Sequence, residues 1–556
     1  MFSLKILPVA LAISAAPLIT TGQQLATPNE IVDKLVAQEQ VEMQLLRQYS
    51  PLVETYIQYL RLDKQMGAAP NGDKYFLGRA KLVNGVGLEP LEHGAGLKRR
   101  LSEGWREFWS TTFVPGGFLQ MIYLDMSGFD RQHYNFEYIQ REFLGEVRCL
   151  VFDVSPLKKN DKGRFVGRIW VEDQDYHIVR FNGSYGESFL LSNYFNFDSW
   201  RTNVGTNLWL PALVYTEQGN LHDPQTARVA FKPFRAQTRL WGYNLGHATE
   251  EQELSKVIVE GPTPIKDLTE AANDYSPLEA EHAWERQAES HVTDYLERHG
   301  LLAPRGDVER VLEMVVNNLE VTNGLDIQPE VRCRVLMTST LESFAIGHSI
   351  VLSRGLLDVL PDEASLAAVL AHELSHVILA HRMNTQFAFF NSLRSKEADT
   401  FRHFEFARTP AEEQAAQQKG NELLRNSPYS DKAGGALFTD ALKYRSKDIP
   451  NLVSPLLGER ILKNSAASPV STSRQSDAKL ATDVVAALPL GGRIKVDPWS
   501  NQLQMLKSKP SIAVTSAEKM PFQITPIVLY LTRQVNDART QRPAGVAANL
   551  DGNVKH

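Results

Sequence analysis

Residues 361–381 read PDEASLAAVLAHELSHVILAH, and this stretch contains the most specific signal in the chain. Apolar side chains recur through it at helical spacing, which predicts a helix that is buried on most of its surface. Pro361 suits the first position of such a helix, and Asp362 and Glu363 suit its positive N-terminal end. We therefore expect a core helix that begins at Pro361.

The polar side chains of this helix form the pattern His-Glu-Leu-Ser-His from His372 to His376. Histidines four residues apart project from one face of a helix, so both imidazoles can reach one metal ion. Glu373 lies beside them, where it can accept a proton from the attacking water and pass it to the leaving amine. The alternative is a helix whose histidines only satisfy polar neighbours, but burying three polar groups without a purpose is costly. The pattern therefore predicts a metal site.

The composition limits how such a site can be built. The chain has 556 residues, of which 43% are hydrophobic and 22% charged, as in ordinary globular proteins. Its formal net charge of -6 gives no general attraction for nucleic acid. Cys149 and Cys333 are its only cysteines, which excludes a disulfide framework and a multi-cysteine metal site. Histidine and carboxylate must therefore hold any metal.

The first 22 residues combine an early Lys5, an apolar run and then small residues. This order is typical of a cleavable signal peptide, and it predicts a periplasmic or secreted protein. The run is too short and too interrupted by proline to cross a bilayer, so we expect no stable membrane span after signal removal. A buried N-terminal helix is the alternative interpretation.

Residues 30–260 predict a domain of different character. An apolar stripe over residues 30–62 indicates a helix. Six of the eight tryptophans then fall between residues 74 and 259, among short β-prone segments and turn signals. These features predict a curved antiparallel sheet. Its aromatic strands loosely resemble the half-barrel of lipoprotein-carrier proteins, but no diagnostic motif supports lipid binding, and a purely structural sheet is the favoured interpretation.

The stretch 341–381, LESFAIGHSIVLSRGLLDVLPDEASLAAVLAHELSHVILAH, carries a further resemblance. It resembles the HtpX and CaaX-prenyl-protease type of gluzincin zinc metallopeptidases, the M-48 peptidase family. The shared features are an alternating strand, a Gly-Leu-Leu element, an acidic helix start and AHELSH. The likeness covers about residues 308–462 only. It implies Zn²⁺ as cofactor, and the soluble exported members of the family fit the predicted signal peptide.

The resemblance also implies a third metal ligand, a glutamate that opens an ExxAD stretch on a following helix. The matching residues 409–424 read TPAEEQAAQQKGNELL, and counting back from Gly420 places Glu413 on the ligand position. The competitor is Glu397, which comes within reach of the histidines if the chain turns back near Asn384. The flanking residues favour Glu413.

Thr409 and Pro410 predict the N-cap and the first turn of this helix. The chain departs from the family at two positions, because Gln417 replaces the family's aspartate and Ser454 replaces a histidine that precedes proline. Arg460 matches the family's late arginine and is a second candidate catalytic residue; an ordinary structural ion pair is the alternative for it. The two departures leave the strength of the activity open.

Residues 342–352, ESFAIGHSIVL, predict a strand just before the helix. In sites of this type an edge strand pairs with an extended substrate, so that backbone hydrogen bonds supply affinity. We assign that role to Ala345, Ile346, Gly347, His348 and Ser349. His381 lies on another face of the helix and is expected to support the site without being a ligand.

Together these features predict an α+β multidomain protein. An N-terminal helix and a curved antiparallel β-sheet domain are followed by a mostly helical gluzincin domain, zincin-like in fold, and a small C-terminal module that contains β-structure. The expected segments are a signal peptide (1–22), the helix and aromatic-rich sheet domain (30–260), a zinc metallopeptidase domain (275–463), a linker (464–492), the C-terminal module (493–535) and a disordered tail (536–556).

The expected function is that of an exported zinc-dependent metalloendopeptidase that hydrolyses peptide bonds of proteins. His372, His376 and Glu413 are the expected ligands and Glu373 the general base. Its partners are protein or peptide substrates, with no nucleic acid. A metal-binding but weakly active, chaperone-like factor for exported proteins is one alternative, and a lipid or lipoprotein carrier that acts through the sheet domain is another.

Overall fold

The structure is a computed structural model. It describes residues 28–63, 67–83, 85–91, 118–126, 128–158, 163–185, 195–218, 233–245, 277–382, 406, 408–430, 434–460, 490–506 and 522–534. The predicted signal peptide, most of the predicted linker 464–492, the predicted tail 536–556 and the alternative ligand Glu397 lie outside these residues.

Helix α1 (Pro28–Leu46) is followed by strand β1 (Leu52–Asp63), so the helix predicted over residues 30–62 is wrong in its second half. Residues 52–63 read LVETYIQYLRLD, in which aromatic and β-branched side chains are frequent. These residues favour a pleated strand that is buried on both faces. The helical spacing of apolar residues thus ends where β1 begins.

Within the described residues, ten strands form one antiparallel sheet in the order β3-β2-β1-β10-β9-β8-β7-β6-β5-β4. Its strands are β1, β2 (Gly67–Lys81), β3 (Gly87–Pro90), β4 (Tyr134–Leu144), β5 (Val147–Pro156), β6 (Phe165–Glu172), β7 (Ile178–Tyr185), β8 (Phe195–Gly205), β9 (Leu208–Gln218) and β10 (Phe234–Trp241). The predicted antiparallel sheet is therefore present.

One face of this sheet packs against α1 and residues 118–124. Leu35 and Leu46 of α1 share an apolar core with Phe152 and Phe181 of the strands. Residues of β1 alternate between two cores: Val53 and Ile57 face α1, whereas Leu52 and Tyr56 belong to a core shared with the helical part of the chain. The sheet thus packs on both sides.

The helical part begins with α2 (Pro277–Arg298) and α3 (Asp307–Thr322), and a small mixed sheet follows in the order β11-β13-β12-β14. β11 runs parallel to β13, and β12 runs antiparallel to β13 and β14. The remaining elements are β11 (Arg332–Leu336), β12 (Glu342–Ile346), β13 (Ser349–Ser353), α4 (Arg354–Val359), α5 (Glu363–Ile378), α6 (Pro410–Arg425), α7 (Gly434–Arg445) and β14 (Glu459–Arg460). No helix in the described part of the chain is long and apolar enough to cross a membrane.

The described C-terminal residues contact both the ten-stranded sheet and the helical part. The hairpin β15 (Ile494–Val496) and β16 (Leu503–Met505) places Ile494 and Leu503 in the core shared by the sheet and the helices. Residues 522–534 continue across the sheet, where Leu531 packs on a third apolar cluster and its carbonyl accepts from the Glu146 amide.

A buried ion network joins α1 to the sheet. The Arg201 guanidinium donates to Glu39 at 2.6 Å and to Glu42 at 2.7 Å, and all three side chains are at most 6% exposed. His177 lies 2.5 Å from the second of these carboxylates. Removing the cation would leave two buried carboxylates without their main partner, which is costly because they are desolvated.

We therefore expect Arg201→Ala to lower the free energy of unfolding by about 3–5 kcal/mol. Arg168→Ala is the matched control, because the Arg168–Asp153 pair is 40% and 43% exposed; it should cost less than about 1 kcal/mol. Urea denaturation followed by circular dichroism measures both. Equal effects of the two variants would show that the network does not stabilise the sheet.

Candidate metal centre and active site

Helix α5 carries the His-Glu-Leu-Ser-His pattern, and its ends are defined by local contacts. The Asp362 carboxylate is the N-cap and accepts from the Ser365 amide at 2.8 Å. Pro361 therefore precedes the cap, and the prediction that it opens the helix is off by two residues. The helix ends at Ile378, and Ala380 follows with a φ of 51°.

His372, His376 and Glu413 lie together. The two histidine Nε2 atoms are 3.3 Å apart, and they lie 3.2 and 3.6 Å from the carboxylate oxygens of Glu413. Donors of one tetrahedral zinc ion are separated by about 3.3–3.6 Å, because each bond is roughly 2.0–2.2 Å long. The three side chains are thus spaced to hold one metal ion.

Close packing of two helices brings Glu413 to the histidines. Helix α6 lies against α5, and a Cβ at Gly420 would be only 3.2 Å from the Ala371 carbonyl oxygen. Ala416, one turn earlier, is fully buried. Thr409 is the N-cap of α6, as its sequence predicts, and the structure adds a reciprocal pairing of its hydroxyl and backbone amide with Glu412.

The protonation of the histidines suits metal binding. Burial and the neighbouring His372 lower the pKa of His376 to about 3, so its imidazole is neutral, which is the ligating form. Its Nδ1 atom lies 2.9 Å from Nδ1 of His381. A hydrogen bond to the second ring nitrogen commonly orients a ligand histidine, and His381 is placed to make one.

The candidate general base Glu373 is buried and accepts a hydrogen bond from a residue that the sequence did not reveal. The Ser343 hydroxyl of β12 donates to Glu373 Oε1 at 2.6 Å. Burial raises the pKa of the Glu373 carboxyl, whereas His372 and the Ser343 hydrogen bond lower it. A raised pKa favours proton transfer near neutral pH. No motif marks Ser343, because it lies 30 residues before its partner on a different element.

Arg408 is a second residue that sequence analysis missed. Its guanidinium donates to the Ala345 carbonyl of β12 at 2.8 Å. Burial lowers the pKa of Arg408, and the carboxylates of Glu373 and Glu413 oppose that shift. The sequence does contain a signal for Arg408. A cation directly before a helix N-terminus interacts unfavourably with the helix dipole, so its presence there indicates a role other than stabilising the helix.

The single strand predicted over residues 342–352 is instead a hairpin. Ala345 and Ile346 lie on β12, Gly347 and His348 form the turn, and Ser349 starts β13, opposite Ile346. Gly347 has a φ of 54°, a backbone conformation that glycine adopts at little cost and that interrupts a strand. Of the five residues assigned to substrate binding, only the first two therefore lie on β12.

The structure also places the two positions that depart from the family pattern and the candidate catalytic residue Arg460. The Gln417 amide donates to Asn421 on the same helix, and the Ser454 hydroxyl donates to the Pro450 carbonyl. Arg460 lies on β14, where its backbone pairs with Glu342 of β12. These contacts place Ser454 and Arg460 in the segment that leads to the edge of the small sheet.

We expect Gly420→Ala to weaken metal binding about tenfold, the size of effect seen when residues around metal ligands change. The added methyl group pushes α6, and Glu413 with it, away from α5, although alanine itself favours helix. Zinc titration against a competing chelator measures the change. Gln418→Ala, on the exposed side of α6, is the control. Unchanged affinity in both variants would contradict the packing argument.

The comparison with protein-family models agrees with this geometry. No curated protein matches the chain. The model of Peptidase family M48 matches residues 303–475, which include all three candidate ligands and exclude the ten-stranded sheet. The segment that holds the histidine pair and Glu413 therefore matches a family of zinc metallopeptidases, as its sequence resemblance predicted.

Proposed function

We propose that this protein is an exported zinc-dependent metalloendopeptidase that hydrolyses peptide bonds of protein substrates. The observation that carries the proposal is the spacing of His372, His376 and Glu413, whose donor atoms are 3.2–3.6 Å apart. Two imidazoles and one carboxylate are a donor set that catalytic zinc uses, and they leave a position for water or substrate. The proposal that the protein is exported rests on the signal-peptide pattern of the first 22 residues.

The proposed mechanism assigns the proton transfers to Glu373. Zn²⁺ bound by the three ligands would supply Lewis acidity for attack on the peptide carbonyl. Ser343 holds Oε1 of Glu373, so Oε2 is the oxygen that accepts the proton from the attacking water. Glu373 then donates this proton to the leaving nitrogen as the C–N bond breaks, which restores its carboxylate.

We propose that an extended peptide binds along β12. In the described part of the chain, β14 pairs with β12 only at Glu342 and Ser343, so residues 344–346 continue beyond that pairing. A peptide added there would bind through backbone hydrogen bonds with little sequence preference. The Arg408 hydrogen bond to Ala345 lies in its path, so the peptide must displace this guanidinium or bind beside it.

A second candidate is a metal-binding but weakly active chaperone-like factor for exported proteins. It is favoured by Ser454, because a hydroxyl stands where the family has an imidazole that can stabilise the oxyanion. Lipid or lipoprotein carriage is a minor candidate. The α1 face of the sheet holds Leu35, Leu46 and residues 118–124, which places protein side chains where such a ligand would lie.

Replacing the third ligand tests the metal site. We expect Glu413→Gln to weaken zinc binding by ~100-fold or more, exceeding the effect of changes next to ligands. Glu397→Gln tests the alternative ligand, and Glu422→Gln is a matched control on the exposed side of α6. Metal analysis after dialysis gives the zinc content of each variant. Retention of stoichiometric zinc by Glu413→Gln would exclude this ligand set.

Replacing the base tests the chemistry. We expect Glu373→Gln to keep its zinc and to lower kcat/KM for casein by about 10²–10⁴-fold, the usual contribution of a general base. Removing zinc with phenanthroline from the wild type should abolish the same activity. If wild type and Glu373→Gln suppress aggregation of an unfolded protein equally and neither cleaves it, the chaperone-like function is correct and the peptidase is not.

A further inference from the structure

The sheet presents polar side chains to the helical part of the chain. Glu54 on β1 is 1% exposed, and Asp73 on β2 is 6% exposed. Buried polar groups are costly unless they are hydrogen-bonded, so their hydrogen-bond partners show which segments they stabilise. Glu54 accepts from the Ser339 amide at 2.6 Å and from the Ser339 hydroxyl at 2.7 Å.

Asp73 makes the densest of these contacts. Its carboxylate accepts from the backbone amides of Asn451 and Leu452 at 2.9 and 2.8 Å and from the Asn451 side chain at 2.9 Å. The Tyr56 hydroxyl donates to the same carboxylate at 3.0 Å. One sheet residue thereby holds the start of residues 451–458, which we call the wall segment.

Glu342 of β12 holds the other end of the wall segment. One oxygen of its carboxylate accepts from the backbone amides of Leu456, Leu457 and Gly458 at 2.9–3.0 Å. In addition, the Leu341 amide donates to the Leu452 carbonyl at 2.9 Å. Both ends of the wall segment are therefore hydrogen-bonded to residues at the start of β12.

The next residues along β12 reach the base. A Cβ at Gly458 would lie 2.8 Å from the Ser343 carbonyl oxygen, so the wall segment packs closely against β12 at this point. The hydroxyl of Ser343 donates to Glu373. Continuous contacts thus run from Asp73 through the wall segment and β12 to the general base.

We propose that the ten-stranded sheet is a platform that positions the active site, with Asp73 as the positioning residue. By holding the wall segment, Asp73 sets the place of β12 and hence of Ser343 and of the edge proposed to bind substrate. This role rests on the proposed peptidase function. It assigns to the sheet, which lies outside the family match, a task in the reaction.

Asp73→Asn tests the proposal, because it keeps the size of the side chain but removes the acceptor that the Leu452 amide needs. We expect kcat/KM, corrected for zinc content, to fall at least about tenfold, because small displacements of catalytic groups cause losses of this size. Hydrogen exchange at the amides of Leu456, Leu457 and Gly458 should be at least about tenfold faster. Tyr56→Phe, a milder variant, should change both in the same direction.

Trp241→Phe is the matched control. It also removes a hydrogen bond between the sheet and the helical part, from Trp241 Nε1 to the Gly300 carbonyl at 2.9 Å, and this acceptor lies outside the wall segment. A purely structural role predicts equal effects of Asp73→Asn and Trp241→Phe on activity, and that result would overturn the proposal. Faster exchange without loss of activity would also overturn it.

The exchange measurement separates this proposal from the proposed function. If the wild type cleaves no peptide, the peptidase function fails, but exchange at residues 456–458 still reports whether Asp73 holds the wall segment. Unchanged exchange in both Asp73→Asn and Tyr56→Phe would then overturn the platform. Faster exchange in those variants, but not in Trp241→Phe, would support it.

Discussion

The close approach of α6 to α5 is the constraint on which the candidate site depends. Gly420 lies so near the Ala371 backbone that an added Cβ would be 3.2 Å from its carbonyl oxygen. At this separation a carboxylate from the second helix reaches two imidazoles of the first, and the donors have the spacing of a tetrahedral ion. A bulkier residue would move that carboxylate, since packed interiors transmit such strain.

Around this helix pair, buried carboxylates organise the loops. Asp73 accepts hydrogen bonds from two backbone amides of residues 451–458 and Glu342 from three, and Glu54 accepts from the backbone amide and the hydroxyl of Ser339. Such carboxylates are desolvated, and several hydrogen bonds are needed to offset that cost. Each carboxylate is therefore stable in its buried position only while its loop supplies these hydrogen bonds. This couples the large sheet to the small one that carries Ser343.

The candidate site combines features that suit metal-assisted hydrolysis with two departures from the family pattern. Glu373 is buried beside a hydrogen-bond donor, and the neutral His376 is ready to bind a metal. Ser454 and Gln417 instead make local hydrogen bonds within their own segments. Arg408 brings a cation to the part of β12 proposed to bind substrate, so positive charge is present there although the family's histidine is absent.

The sequence by itself determined the features that depend on neighbours along the chain. Helical spacing located α5 and its histidine pair, and Thr409 marked the start of α6, because periodicity and capping are local. Periodicity did not reveal that the apolar stripe gives way to β1, or that Gly347 divides a strand into a hairpin. The tertiary structure alone decided the Ser343–Glu373 and Asp73–Asn451 contacts, the latter between residues 378 positions apart. Such contacts arise from the packing of whole elements, which no local pattern encodes.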